Sequence, residues 1–266
     1  MLVLPFHNID PVIFRINESI SLNWYGISYL VGILFMGYYG DHLATKSPYH
    51  FKKKSFSDFV VWGMIAIVVG GRLGQVIFYD LEYYLQYPLK IFATWKGGMS
   101  FHGGIIGAII AVLIYSRKNS IPFKRFLDII AVCTPAGLFL GRIANFINGE
   151  LFGNYSDLPW AMVFPQGGNL PRHPSQIYEA LLEGVLLFLI LNILYKRYKE
   201  TPGLVSSAFL LGYGIFRYIS EIFRVPDFTL SLGNFVLSGG QILSLPMMIV
   251  GLALLIYLMR QRSPSS

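Results

Sequence analysis

The chain has 266 residues, of which 54% are hydrophobic and only 13% are charged, and its mean hydropathy is +0.54. A soluble domain carries about a quarter charged residues, so this composition excludes an ordinary soluble protein and predicts one that lies in lipid. The net charge of +7 does not require a nucleic-acid partner, because lysine and arginine concentrate in the cytoplasmic loops of membrane proteins.

Apolar runs with the length of membrane spans follow one another along most of the chain. Their predicted limits are residues 24–39, 59–79, 100–115, 126–146, 177–195, 204–223 and 242–257. We therefore predict an all-α fold, a polytopic membrane protein with seven transmembrane helices. Residues 1–266 form a single integral membrane domain in this interpretation, and residues 1–23, which include Glu18, do not resemble a secretory signal.

The basic residues of the loops predict the orientation. Thirteen of the 21 Lys and Arg residues, including Lys53, lie in alternate connections. These connections are 46–54, 117–125, 196–199 and 260–262. Only five lie in the opposite connections: Arg15, Lys90, Lys96, Arg172 and Arg224. The positive-inside rule then places the N-terminus outside and the C-terminus in the cytoplasm. The longer connections, 80–98 and 148–176, fall on the outer side.

Arginines also lie inside the apolar runs, at Arg72, Arg142 and Arg217. An ionised guanidinium in hydrocarbon costs several kcal/mol unless it is paired or hydrated, so each is a candidate functional residue. In the predicted orientation all of them lie in the outer halves of their helices. Tyr25, His102 and His173 lie near the starts of other helices at the same level. This pattern predicts one hydrated cavity near the outer face that accepts an anion.

His102 lies among Gly97, Gly98, Gly103 and Gly104, where a substrate can approach closely. Histidine titrates near neutral pH, which suits a general base. The alternative is that Gly103 and Gly107 form a helix-packing face and that His102 is an ordinary interfacial histidine.

Arg142, Asn145 and Gly149 have the spacing i, i+3, i+7, so the first two share a helical face and together could bind phosphate oxygens. The alternative is a structural ion pair of Arg142 with Glu150 or Glu221.

Arg217, Glu221 and Arg224 share a face of the sixth predicted helix, which ends before Pro226. One acid between two bases leaves positive charge uncompensated in this interpretation. His102, Glu150, His173 and Glu179 show no compact metal-ligand spacing, so we expect catalysis without a metal or other cofactor.

Five segments carry a resemblance to a known family. They are Gly-Gly-Arg-Leu-Gly at 70–74, Gly-Gly-Met-Ser-Phe-His-Gly-Gly at 97–104, Gly-Arg-Ile-Ala-Asn-Phe-Ile-Asn-Gly-Glu-Leu-Phe-Gly at 141–153, His-Pro-Ser-Gln-Ile-Tyr-Glu at 173–179 and Phe-Arg-Val-Pro-Asp at 223–227. In these segments the chain resembles the bacterial phosphatidylglycerol:prolipoprotein diacylglyceryl transferases. It departs from the family pattern at Gln75, where an aromatic residue is frequent, and at Asn154, where an arginine is frequent.

The resemblance implies transfer of the diacylglyceryl group of phosphatidylglycerol to the lipobox cysteine thiol of a preprolipoprotein, with release of glycerol 1-phosphate. It implies a multi-pass protein of the bacterial cytoplasmic (inner) membrane, in contact with membrane lipids, and no nucleic-acid partner. The family's essential or important positions correspond here to Arg142, Arg217, His102, Tyr25, Asn145, Glu150, Gly153 and Glu221. We expect Arg142, Asn145, Gly153, Arg72, Arg224 and His173 to bind the lipid, and the base to be His102, Glu150 or Glu221.

Two other classes compete with this interpretation. A transporter for an anionic solute would also need buried arginines, but the sequence shows no inverted repeat and no charged residues that continue through the inner half. An intramembrane hydrolase is disfavoured because no Gly-x-Ser-x-Gly motif occurs in the predicted spans.

Overall fold

The computed structural model describes residues 4–15, 17, 21–49, 51–52, 54–94, 97–226, 228–232 and 235–262. Of the residues discussed above, Glu18, Lys53, Lys96 and Asp227 lie outside this part of the chain.

The described part is mostly helical, as the apolar runs predict. Its α-helices are α1 (Trp24–Thr45), α2 (Ser55–Phe78), α3 (Leu81–Gln86), α4 (Phe101–Lys118), α5 (Phe123–Asn148), α6 (Ser175–Glu179), α7 (Leu187–Arg197), α8 (Leu204–Ser220) and α9 (Gly239–Arg262). A 3-10 helix covers Pro88–Phe92, and a π-helix, Ala180–Leu186, joins α6 to α7. Each predicted apolar run coincides with one of these helices or with the continuous helix Ser175–Arg197, within six residues at either end.

Four of the described helices are long and apolar enough to cross a membrane: Ser55–Phe78, Phe123–Asn148, Ser175–Arg197 and Gly239–Arg262. Helix α8 is apolar but shorter, with 17 residues. These helices identify a multi-pass membrane protein, whereas the full set of seven spans and their direction stay predictions.

Short strands supplement the helices, which corrects the all-α prediction in detail. Strands β1 (Leu4–Pro5) and β4 (Met162–Val163) pair in parallel, whereas β2 (Val12–Arg15) with β3 (Ser21–Asn23) and β5 (Thr229–Leu232) with β6 (Phe235–Ser238) pair antiparallel. Each strand has two to four residues, so an apolar run the length of a bilayer cannot reveal it.

The chain divides into two compact units. The central unit is Met36–Leu127, and the terminal unit combines Met1–Phe35 with Asp128–Ser266. The prediction of one integral membrane domain is neither supported nor contradicted by this division.

In the central unit, α2 and α4 meet backbone to backbone along glycines. A Cβ on Gly70 would lie 2.4 Å from the Gly103 carbonyl oxygen, and one on Gly107 would lie 2.2 Å from the Ala66 carbonyl oxygen. Only glycine permits this approach, so the packing role considered for the glycines near His102 is real. The Asp41 carboxylate accepts hydrogen bonds from the amides of Phe56 and Ser57, which caps the first turn of α2.

In the terminal unit, α8 packs on α9 at Gly214 and Gly251, whose added Cβ atoms would lie 2.7 Å from Met248 Cγ and 2.6 Å from the Leu211 amide nitrogen. The buried Asp128 carboxylate accepts the amide N–H groups of Gly203 and Ser206, each at 2.8 Å, at the start of α8. A carboxylate at a helix N-terminus satisfies amides that have no intrahelical partner and interacts favourably with the helix dipole.

Candidate functional site

An arginine–glutamate network occupies the interior of the terminal unit. Its members come from α5, the continuous helix Ser175–Arg197, α8 and the turn after α8: Arg142, Glu179, Glu183, Arg217, Glu221 and Arg224. All six side chains are largely or fully buried, and Glu179 and Glu183 have no exposed surface.

Glu179 is the most connected carboxylate of this network. Its Oε2 lies 3.2 Å from Arg142 Nε, and its Oε1 lies 2.5 Å from Arg217 Nη1 and 3.9 Å from Arg224 Nη1. One buried acid therefore contacts all three arginines, so the positions of the guanidinium groups depend on one another.

Glu221 joins the network to the start of α9. It pairs with Arg217 one turn earlier on α8, and its Oε2 accepts a hydrogen bond from Ser238 Oγ at 2.6 Å. A Cβ on Gly240 would lie 2.3 Å from the Glu221 carboxyl carbon, so glycine at this position leaves room for the carboxylate. The N-terminal end of α9 is a favourable place for a negative charge, because the positive end of the helix dipole lies there.

The network corrects two expectations from the sequence. Positive charge does not remain uncompensated here, because three arginines meet three glutamates. Arg142 pairs with Glu179 and Glu183 rather than with Glu150 or Glu221. From the sequence, Glu179 was considered only as a metal ligand that lacks the required spacing, and Glu183 was left out, although their i, i+4 spacing within an apolar helix was the available signal.

Asn145 and Glu150 interact at the end of α5. Asn145 Nδ2 donates to Glu150 Oε1 at 2.8 Å, and Asn148 Nδ2 lies 3.3 Å from the same oxygen. The chain turns at Gly149, which has a φ of 68°, a conformation that glycine adopts without strain. Asn145 and Arg142 thus both donate to carboxylates, and the proposed joint phosphate contact stays a prediction.

Gly153 lies where three segments meet. Its N–H donates to the His173 carbonyl oxygen at 2.9 Å, and an added Cβ would lie 2.4 Å from the Phe223 carbonyl oxygen. Any larger residue would separate these segments, so the structure explains Gly153 by packing, and its predicted lipid contact is untested.

His173 packs against Tyr178 and Phe223, and its Nδ1 lies 3.2 Å from the Tyr178 hydroxyl oxygen. Partial burial lowers the pKa of His173, an effect that the Asp157 carboxylate opposes. The imidazole is therefore biased toward its neutral form, which weakens any purely electrostatic contact with a phosphate.

His102 is an exposed residue in the first turn of α4, in the central unit. Ser100 caps this helix by accepting the Gly103 N–H at 3.2 Å. Tyr25 is the second residue of α1 and lies in the terminal unit, with its ring centroid 5.1 Å from that of Tyr29. Their predicted places in one cavity with Arg142 stay predictions.

Arg72 is buried and surrounded by backbone carbonyl groups. It is 5% exposed, and its five N–H groups donate to the backbone carbonyl oxygens of Lys90, Ile91, Ala93, Gly97 and Gly98 at 2.7–3.3 Å. A guanidinium has five donors, so all of them are used. This arrangement favours a role in shaping the loop after α3 over the lipid contact that the sequence predicted.

We expect Arg72→Lys to loosen that loop, because lysine has three donors and leaves at least two of the carbonyl groups without a partner. Each buried polar group left unsatisfied costs about 1–3 kcal/mol. The measurement is the rate of trypsin cleavage after Lys90 in detergent-purified protein, which should rise clearly. The exposed residue Arg117 provides the control, Arg117→Lys, and equal cleavage rates in the two variants would contradict the assignment.

Within the described residues, no group of three or more His, Cys, Asp and Glu side chains is placed to hold a metal ion. The expectation of catalysis without a metal remains a prediction that an assay must test.

The described helices and the buried network define a multi-pass helical membrane protein with arginines gathered at an internal site. Residues 11–257 match the model of the family described as prolipoprotein diacylglyceryl transferase. The chain belongs to this family, and it is a transferase.

Individual relatives agree over nearly the whole chain. A phosphatidylglycerol–prolipoprotein diacylglyceryl transferase from Vibrio vulnificus is 50% identical over 252 residues, which cover 95% of this chain and 92% of that protein. The enzymes of the same name from Pseudoalteromonas translucida and Idiomarina loihiensis are 48% and 46% identical, and the alignments cover 98% and 96% of this chain and 97% and 96% of those proteins. The resemblance drawn from the sequence motifs is confirmed, and no comparison favours a transporter.

Proposed function

We propose that this protein transfers the diacylglyceryl group of phosphatidylglycerol to the lipobox cysteine thiol of a preprolipoprotein. The names of the relatives support the two substrates. The observation that carries the chemistry is the network, in which Arg142, Arg217 and Arg224 lie together away from bulk water. Guanidinium groups in such a setting bind a phosphate with planar, paired hydrogen bonds.

In the proposed step, the substrate thiolate attacks C3 of the glycerol that carries the acyl chains. A carbon–sulfur bond forms, the bond between C3 and the phosphate oxygen breaks, and the electron pair leaves on that oxygen as part of glycerol 1-phosphate. Arg142 and Arg217 would stabilise the charge that develops on the leaving phosphate, which is a strong effect where water is excluded. They can do so by exchanging their present carboxylate partners for phosphate oxygens.

The thiol must lose its proton, because the thiolate is the nucleophile. His102, exposed at the start of α4, is our leading candidate for the base. Glu150 and Glu221 are the alternatives. Both carboxylate oxygens of Glu221 are already engaged, one by Arg217 and the other by Ser238 Oγ, so it is the weaker candidate of the two.

The function is tested by incubating the purified protein with phosphatidylglycerol and a lipobox peptide and following the peptide mass. We expect the peptide to gain one diacylglyceryl group, and we expect the rate to be unchanged in EDTA. A peptide with serine in place of the lipobox cysteine is the control. No mass gain on the cysteine peptide would contradict the proposed reaction, and a rate restored only by a divalent ion would contradict metal-free catalysis.

We further propose seven spans in the bacterial inner membrane, with the N-terminus outside and the C-terminus in the cytoplasm. The distribution of loop bases supports this direction. Reporter fusions after Lys118 and Arg197 should report the cytoplasm, and fusions near Tyr84 and Gly167 the exterior. The opposite pattern would place the network near the cytoplasmic leaflet and contradict the proposal.

A further inference from the structure

Glu183 is a buried acid to which the reaction described above gives no part. It lies within the π-helix Ala180–Leu186, and its side chain has no exposed surface. Its two carboxylate oxygens face different arginines, with Oε2 at 3.4 Å from Arg142 Nη2 and Oε1 at 3.6 Å from Arg217 Nη1. Glu183 therefore bridges the two guanidinium groups.

We propose that Glu183 is a positioning residue that sets the spacing of Arg142 and Arg217. Its contacts with the two guanidinium groups break when the lipid phosphate binds. The inference rests on the proposed function and adds a residue to it. Glu183 itself does not contact the reacting atoms, and it acts through the two arginines.

The distances distinguish Glu183 from its neighbour Glu179. Charge-assisted bonds between arginine and carboxylate have N–O distances of about 2.7–2.9 Å. Both contacts of Glu183 exceed this range. Glu179 holds Arg217 Nη1 at 2.5 Å, and its contact with Arg142 Nε, at 3.2 Å, lies outside the range but is shorter than either contact of Glu183. Glu179 thus anchors the pair, and Glu183 is the bridge that a phosphate displaces more easily.

The local fold places Glu183 for this role. π-Helical turns inside α-helices are rare and occur frequently at functional sites. The next residue, Gly184, lies against α5, where an added Cβ would be 2.6 Å from Phe139 Cβ. Phe139 precedes Arg142 by three residues on α5, so the close approach at Gly184 brings Glu183 within reach of Arg142.

Charge balance predicts a distinctive kinetic effect. The network holds three arginines and three glutamates, so Glu183→Gln leaves one positive charge in excess and removes a competitor of the phosphate. Lipid binding should not weaken. The arginines lose the bridge between them, however, and misplacement by about 1 Å can cost on the order of 100-fold in rate.

The experiment compares Glu183→Gln with Glu200→Gln, a matched change at an exposed acid, in the peptide lipidation assay. For Glu183→Gln we expect kcat to fall about 100-fold while KM for phosphatidylglycerol stays equal or falls. A purely structural role would lower the yield of folded protein and leave both constants of the folded fraction unchanged, which would overturn the inference. A raised KM with unchanged kcat would overturn it as well.

Glu183→Asp covers the case in which the glutamine variant does not fold. Aspartate keeps the charge but is one methylene shorter, so we expect a folded protein with reduced kcat and an unchanged KM. A wild-type rate in Glu183→Asp, or a KM that rises while kcat is retained, would exclude the bridging role. A wild-type protein that fails to lipidate the peptide would instead contradict the proposed function itself.

Discussion

Arg142→Lys should reduce the initial rate of peptide lipidation by about 100-fold to 1000-fold, the usual effect of losing one preorganised electrostatic contact. Arg142 uses Nε toward Glu179 and Nη2 toward Glu183, so its fork spans two carboxylates. Lysine keeps the charge but offers a single ammonium group, which cannot present two parallel N–H bonds to a phosphate.

Arg197→Lys is the matched control, because Arg197 is exposed at the end of α7. It should lipidate the peptide at the wild-type rate. If folded Arg142→Lys also works at that rate, Arg142 is only a counter-charge for Glu179 and Glu183. Arg217 would then be the better candidate for the phosphate contact.

Glu179→Gln should destabilise the protein strongly, because a neutral amide leaves Arg142, Arg217 and Arg224 with one acid fewer. Removing one partner of a buried ion pair costs about 3–5 kcal/mol, since the remaining charge is left uncompensated. Cys133 provides the measurement, because it is a free thiol and only 2% exposed. A maleimide dye should label Cys133 at a clearly lower temperature in the variant than in the wild type.

Glu200→Gln is the control, because it makes the same substitution at an exposed glutamate. It should leave the temperature at which Cys133 is labelled unchanged. An unchanged labelling temperature in Glu179→Gln would mean that water, rather than Glu179, satisfies the arginines. The network would then be hydrated and adaptable, and the anchoring role given to Glu179 would be wrong.

The candidate functional arginines could be predicted from the sequence alone. A guanidinium within an apolar run is costly enough to require an explanation, and the motif around Arg142 adds a family resemblance that the comparisons confirm. The glutamates that pair with these arginines were harder to predict. Glu183 lies in a run of leucine, valine and glycine, where its i, i+4 relation to Glu179 is one of several possible helical pairs.

The role of Arg72 could not be predicted from the sequence either. Like Arg142, Arg72 directly follows a glycine and lies within an apolar helix. The difference lies in a loop about 20 residues further along, whose carbonyl groups fold back onto the guanidinium. No spacing rule within one helix predicts that contact, because it depends on the path of the loop.

The sequence by itself determined the class of protein, the positions of the long helices and the family, because hydropathy and motif spacing are local properties of the chain. Tertiary structure decided which acid each arginine meets, where Gly153 and Gly184 admit a neighbouring segment and why Arg72 differs from Arg142. These features depend on contacts between segments far apart in sequence, and burial makes each unpaired charge or extra methyl group costly enough to fix them.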